Sequence, residues 1–196
     1  MTRDELIAMG VLTIKTPALA AHQLMALQVP RRVLWLALAL MAVLNALIYA
    51  AVTVARPPVP AQVAFFPSPF VYLVIISLGL FALVWTIYLV GRWMGGTGSL
   101  DEVLVLLTWM QALRVVSQMA MMVVMMFSSI LSLMASFTVF ILGIWIGLHF
   151  VNEGHRLGSM SRAAGVLVGA GVVTLMGVSF LLSLVALPFV GGMSDV

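Results

Sequence analysis

Five long apolar segments, separated by short polar stretches, dominate the hydropathy pattern of this 196-residue chain. They cover residues 33–55, 70–90, 103–127, 130–151 and 163–187. Each exceeds about 20 residues, and a helix that rises about 1.5 Å per residue then crosses the roughly 30 Å hydrocarbon core of a bilayer. The apolar runs are continuous rather than alternating, which indicates helices and not barrel strands. The pattern predicts an all-α integral membrane protein with five transmembrane helices in a compact bundle.

The amino-acid composition indicates that lipid is the main solvent of the protein. Hydrophobic residues make up 64% of the chain and charged residues 8%, with a mean hydropathy of +1.23. A typical soluble domain has about 25% charged residues, so this chain cannot cover a water-exposed surface. The absence of cysteine excludes disulfides and thiolate metal sites.

Positive residues outside the five segments fall almost entirely on one side of the predicted bundle. On the side opposite the N-terminus there is only Arg56. The side of the N-terminus holds Arg3, Lys15, Arg31, Arg32, Arg92, Arg156 and Arg162. Because Lys and Arg in short loops face the cytoplasm, the pattern predicts a cytoplasmic N-terminus and an external C-terminus with a short tail at residues 191–196. We expect the bacterial cytoplasmic (inner) membrane, and we assign the net charge of +3 to this rule rather than to nucleic-acid binding.

Residues 1–32 form a separate cytoplasmic or interfacial segment before the first span. Charged residues interrupt its apolar positions, and Thr2 with Glu5 has the spacing of a capping box. Thr16 followed by Pro17 is typical of a second helix start, with proline at the first helical position. We predict two short amphipathic helices on the cytoplasmic membrane surface, with a partly disordered tail as the alternative.

Small residues recur at helical spacing in the fourth and fifth segments. Lipid gives helices no hydrophobic reason to associate, so such positions indicate where helices pack closely. The predicted packing seam consists of Ser129, Ser132, Ser136, Gly143 and Gly147 in the fourth segment and Gly165 and Gly169 in the fifth. Packing within the bundle is the favoured interpretation, and an interface between oligomer subunits is the alternative.

The third segment carries a charged residue deep in the predicted membrane region. Arg114 lies near its midpoint, and Thr108, Gln111 and Gln118 share its side of the helix. A charge at this depth costs roughly 2.5–3.5 kcal/mol on insertion scales, so this face must contact protein or water. One interpretation is a structural clasp to backbone carbonyls, to Asn45 of the first segment or to hydroxyls. The other is a substrate or proton path, or a site for an anionic substrate or lipid head group.

His149 and Glu153 stand four residues apart at the end of the fourth segment, a spacing that can hold a metal ion, and His155 follows closely. No HExxH pattern and no firm third ligand accompany them, so ordinary polar residues at the end of a span are the favoured interpretation. The sequence also shows no nucleophile–base pair, phosphate loop or dinucleotide fingerprint. We therefore expect no enzyme activity, no metal and no cofactor.

The stretch between the second and third spans carries a motif. Ser99 and Glu102 have the spacing of a capping box, and acidic residues there lie at the positive end of the helix dipole. The stretch resembles the Yip (Ypt-interacting protein) domain family in its short bacterial form through Gly95, Gly96, Gly98, Ser99, Asp101, Glu102, Trp109 and Gln111. The resemblance covers nearly the whole chain and implies five spans with a cytoplasmic N-terminus.

The resemblance implies partners rather than chemistry. Eukaryotic relatives bind prenylated Rab-type GTPases and have a long cytoplasmic N-terminal region, whereas residues 1–32 precede the first span here. We expect a non-enzymatic scaffold or interaction partner for membrane lipids and for another membrane protein or a second copy of the chain. The alternative is a small-solute or ion transporter or channel built around Arg114. A water-filled cavity at Arg114 would favour transport, and a dry bundle with exposed small residues would favour a scaffold.

Overall fold

Seven α-helices make up the structure, a computed structural model that describes residues 2–55 and 68–191. In chain order they are α1 (Arg3–Lys15), α2 (Pro17–Ala26), α3 (Arg31–Ala55), α4 (Pro69–Trp93), α5 (Leu100–Phe127), α6 (Ser129–His155) and α7 (Met160–Gly191). The five helices α3 to α7 are each long and apolar enough to cross a membrane. The predicted all-α architecture with five spans is confirmed.

The helices extend a few residues beyond the predicted apolar segments, because polar capping residues end them. At the start of α5 the Glu102 N–H donates to the Ser99 hydroxyl at 3.2 Å, and the Glu102 carboxylate accepts from the Ser99 N–H at 2.7 Å. The same reciprocal pair joins Thr2 and Glu5 at the start of α1. Both predicted capping boxes are therefore present. Arg56 and residues 192–196 lie outside the described residues, so the orientation of the bundle stays a prediction.

Buried side chains of the spanning helices lie in one half of the bundle, the half that carries the charged helix ends. We call this region the packed half, and its buried positions fall within residues 34–46, 80–91, 103–115, 146–155 and 163–170. The open half comprises residues 47–54, 69–79, 116–127, 129–145 and 171–183, none of which is buried. Apolar side chains there, such as Phe137 at 65% exposure, face outward. Lipid solvates such side chains, so their exposure carries no hydrophobic penalty.

The two N-terminal helices pack onto the packed half. On α2, which contacts α5 and α6, Ala20 and Ala21 are fully buried and Leu24 nearly so. On α1, the buried Thr13 hydroxyl accepts a hydrogen bond from Trp109 Nε1 of α5 at 2.9 Å. The two predicted helices are confirmed, and the structure adds that one face of each lies against protein.

Candidate functional site

A cavity of about 820 Å³ lies where the packed half meets the open half, chiefly between α3, α5 and α6. Thr108, one of the predicted polar residues, does not line it, and its hydroxyl donates to the Leu104 carbonyl of the same helix at 2.7 Å. The other members of the predicted polar face all line the cavity: Asn45, Gln111, Arg114 and Gln118. The structure thus brings together polar side chains from two spanning helices.

These polar side chains have unused hydrogen-bonding capacity. Asn45 is 1% exposed, and its Nδ2 donates to the Met41 carbonyl at 2.7 Å while its Oδ1 has no partner among the described residues. The Oε1 atoms of Gln111, which is 7% exposed, and of Gln118 also lack partners in the described part of the chain. A buried polar group left unpaired costs about 1–3 kcal/mol, so this wall favours a bound group that donates hydrogen bonds.

Arg114 lies in the cavity without a clasp. It lies half-way along α5. At a rise of 1.5 Å per residue, it is about 21 Å along the helix axis from Leu100, the first residue of α5. Its side chain is exposed to the cavity and forms no hydrogen bond or ion pair with residues 2–55 or 68–191. The clasp to Asn45, to hydroxyls or to carbonyls is therefore not formed within the described residues. The positive charge faces a space large enough for a ligand.

Three glycines of the predicted seam lie at close helix contacts. A Cβ at Gly147 would lie 3.4 Å from Met110 Cε on α5. At Gly165 and Gly169 of α7 a Cβ would lie 2.9 Å and 3.4 Å from side chains at the end of α4. Glycine at these positions lets the helices approach closely within the packed half.

The remaining part of the predicted seam lies outside the packed half. A Cβ at Gly143 would meet no atom within 4 Å, because this glycine lines the cavity. Ser132 and Ser136 line it as well, and Ser129 is exposed in the open half. At Gly143 the structure therefore shows no close helix contact, and for the other three residues the packing seam stays a prediction. Ser132, Ser136 and Gly143 form part of a wall of the cavity.

A smaller cavity of about 110 Å³ lies within the packed half, between Gln111 and His155. Met110, Gln111, Gly147 and Leu167 line both cavities and form the partition between them. The large cavity is therefore bounded by packed side chains on the side of the charged helix ends.

Gly96 and Gly98 of the motif lie against His155, whose side chain is fully buried, whereas a Cβ at Gly95 would meet no atom within 4 Å. A Cβ at Gly96 would lie 2.8 Å from His155 Cβ, and one at Gly98 would lie 2.8 Å from His155 Nδ1. Gly91 of α4 touches the opposite side of the imidazole, at Nε2. The Thr97 N–H donates to the His155 carbonyl at 2.9 Å and joins the loop to α6. Glycine is required here because any side chain would overlap the ring or the backbone.

Three ion pairs join helices at the charged ends of the bundle. They are exposed or partly exposed, so solvent and salt screen each of them. The hydrogen bond with Glu102 raises the pKa of the Arg156 guanidinium. The pairs are Arg31 with Asp101, Arg156 with Glu102, and His22 with Glu153 at 3.0 Å. The acidic residues of the motif therefore hold α3 and the end of α6 against the start of α5.

The three weak metal candidates have separate contacts. Glu153 pairs with His22, and the His149 ring packs edge-on against Trp145 with ring centroids 4.3 Å apart. His155 lies among the motif glycines. Within the part of the chain that the structure describes, no group of three His, Asp or Glu residues could hold a metal ion.

Comparison with known protein families identifies the family to which this five-span bundle belongs. The family model for the Yip1 domain matches residues 10–181, from α1 to α7. The chain belongs to the Yip1 domain family. No curated protein and no solved structure gave a significant match. The matched range of this Yip1 domain includes both the cavity around Arg114 and the glycine loop around His155.

The structure adds residues of the Yip1 domain that sequence reasoning did not single out. Gly91 packs on His155. The sequence carries a signal for this role, because Gly91 lies in the last turn of α4, just before Gly95 and Gly96. Tyr49 and Tyr72 line the cavity and stack with ring centroids 4.5 Å apart. Their contact joins α3 to α4 and depends on tertiary packing, so helical periodicity could not reveal it.

Proposed function

We propose that this Yip1 domain acts without catalysis, as a scaffold or interaction partner for other membrane components. The observation that carries the proposal is the division of the bundle into a packed half and an open half. The packed half provides a rigid base of interlocked helices. The open half leaves helix faces free for partner proteins or lipids, which associate in a bilayer through side-chain packing and hydrogen bonds.

Transport is the weaker alternative, although a cavity does reach Arg114. The cavity is bounded by the partition of Met110, Gly147 and Leu167, and beyond it Phe150 is only 2% exposed. A route across the bundle would require these packed side chains to separate. A cavity with one closed side suits binding better than conduction.

We further propose that the charged helix ends face the cytoplasm of a bacterial cell and that the chain lies in the cytoplasmic membrane. The excess of Lys and Arg at that end supports the orientation. Reporter fusions after Arg92 and after Arg156 should report a cytoplasmic location, and a fusion after Ser128 should report the outside. The reverse pattern would contradict the proposed orientation without affecting the five spans.

Site-specific photocrosslinking in native membranes tests the partner role. Leu175 and Val168 of α7 are similarly exposed, at 69% and 67%, but Leu175 lies in the open half and Val168 beside the packed half. A photoreactive residue at position 175 should give a discrete protein adduct, with a partner or with a second copy of the chain. The matched residue at position 168 should give lipid adducts alone. Equal protein adducts at both positions, or none at position 175 and at the equally exposed Phe180, would contradict the scaffold role.

A further inference from the structure

The wall of the large cavity carries hydrogen-bond acceptors that suit a ligand with donor groups. Asn45 and Gln111 are each more than nine-tenths buried, line the cavity and have an oxygen without a partner in the described part of the chain. The hydroxyls of Ser117 and Ser136 donate to carbonyls of their own helices, which leaves their oxygens as acceptors. The wall therefore offers acceptors, and hydroxyl groups on a ligand would satisfy them.

The charge of Arg114 sets the sign of that ligand. The guanidinium is always protonated and presents several N–H donors in a planar fork that suits phosphate. No acidic side chain of the described residues pairs with it, and water can hydrate the charge but cannot neutralise it. An anionic group beside Arg114 would remove the cost of an uncompensated charge half-way along a spanning helix.

The rest of the wall is apolar. Met121 and Met122 of α5 and Val139 of α6 line it, and methionine adapts its flexible side chain to irregular hydrocarbon surfaces. The cavity volume of about 820 Å³ is within the usual range of small-ligand sites. Because the cavity extends to residues of the open half, such as Met125 and Ser132, hydrocarbon chains can leave it there into the bilayer.

We propose that this cavity binds one anionic phospholipid with a hydroxyl-bearing head group, of the phosphatidylglycerol type. The phosphodiester pairs with Arg114, the head-group hydroxyls donate to the unpaired amide oxygens, and the acyl chains lie along the methionine wall. Ser132 and Ser136 provide polar positions on α6 between the open half and Arg114, on the path of the head group. This inference rests on the proposed binding role, because it names one class of component that the protein binds.

Native mass spectrometry of the full-length protein in mild detergent tests the site. The parent should retain one phosphatidylglycerol. Added phosphatidylethanolamine should not displace it at equal concentration, because its head group adds an ammonium whose positive charge would lie near Arg114. Arg114→Gln should lower the apparent affinity for phosphatidylglycerol roughly tenfold or more, since a charge-assisted hydrogen bond is lost. Arg114→Lys should retain much of the binding. Arg162→Gln, at the exposed charged end, is the control and should bind as the parent does.

A second variant keeps the test valid if Arg114→Gln folds poorly. Gly143→Leu leaves Arg114 intact and adds a side chain at a cavity position where a Cβ would meet no atom within 4 Å, so it should bind less phosphatidylglycerol while keeping the parent's thermal stability. Free glycerol phosphate should not compete, because the hydrocarbon wall contributes to binding. Any one of four results would overturn the proposal. They are equal phosphatidylglycerol binding by Arg114→Gln and Arg162→Gln, equal retention of phosphatidylethanolamine by the parent, full competition by glycerol phosphate, and unchanged binding by a folded Gly143→Leu.

The lipid site and the partner role can fail separately. Retained phosphatidylglycerol without a protein adduct at position 175 would support the lipid site and remove the protein scaffold. A protein adduct at position 175 from a chain that retains no phosphatidylglycerol would support the protein scaffold and remove the lipid site.

Discussion

Gly91→Ala should destabilise the bundle by about 3 kcal/mol or prevent its folding, whereas Gly79→Ala on the same helix should not destabilise it. A methyl group at Gly91 would overlap Nε2 of the fully buried His155 ring, while one at Gly79 would meet nothing within 4 Å. The ring cannot move away, because Gly98 already lies against its opposite nitrogen. At Gly79 alanine improves helix propensity by up to about 1 kcal/mol. Thermal unfolding in mild detergent measures the difference.

A double-mutant cycle shows whether overlap with the His155 imidazole causes the instability of Gly91→Ala. In a His155→Ala background the ring is absent, so Gly91→Ala should cost at least about 2 kcal/mol less than it does in the parent. Additive losses in the double variant would show that Gly91 is needed for some other reason. A Gly91→Ala variant as stable as Gly79→Ala would remove the role assigned to the glycine loop.

The features that the sequence predicts best have a local signal. Each apolar span is continuous along the chain, and the capping boxes at Thr2 and Ser99 each lie within four residues, so the pattern contains the whole interaction. The polar face of α5 was predictable for the same reason, because helical periodicity places Gln111, Arg114 and Gln118 on one side.

The features that the sequence could not predict depend on where separate helices meet. Gly143 and Gly147 form one GxxxG pattern, yet Gly147 packs against Met110 and Gly143 faces open space. The difference is which side chains of neighbouring helices lie beside each glycine, and the sequence of one helix does not encode this. The contact between Gly91 and His155 is non-local in the same way, so the motif glycines were recognisable but their purpose was not.

Lipid captured inside the cavity should differ in head group from lipid captured on the outer face of the same helix. Phe140 and Phe137 of α6 are 64% and 65% exposed, but only Phe140 lines the cavity. A diazirine-bearing phenylalanine at position 140 should capture phosphatidylglycerol several-fold above its share of the membrane, because the Arg114 charge favours a head group of net negative charge. The same residue at position 137 should capture lipids in their bulk proportions.

The most direct measurement is mass spectrometry of the adducts formed at position 140 in native membranes, in the parent and in Arg114→Gln. A lipid site at Arg114 predicts adducts enriched in phosphatidylglycerol in the parent and bulk lipid proportions in Arg114→Gln. Water or a second protein as the main product at position 140, or the same enrichment in both chains, would contradict it.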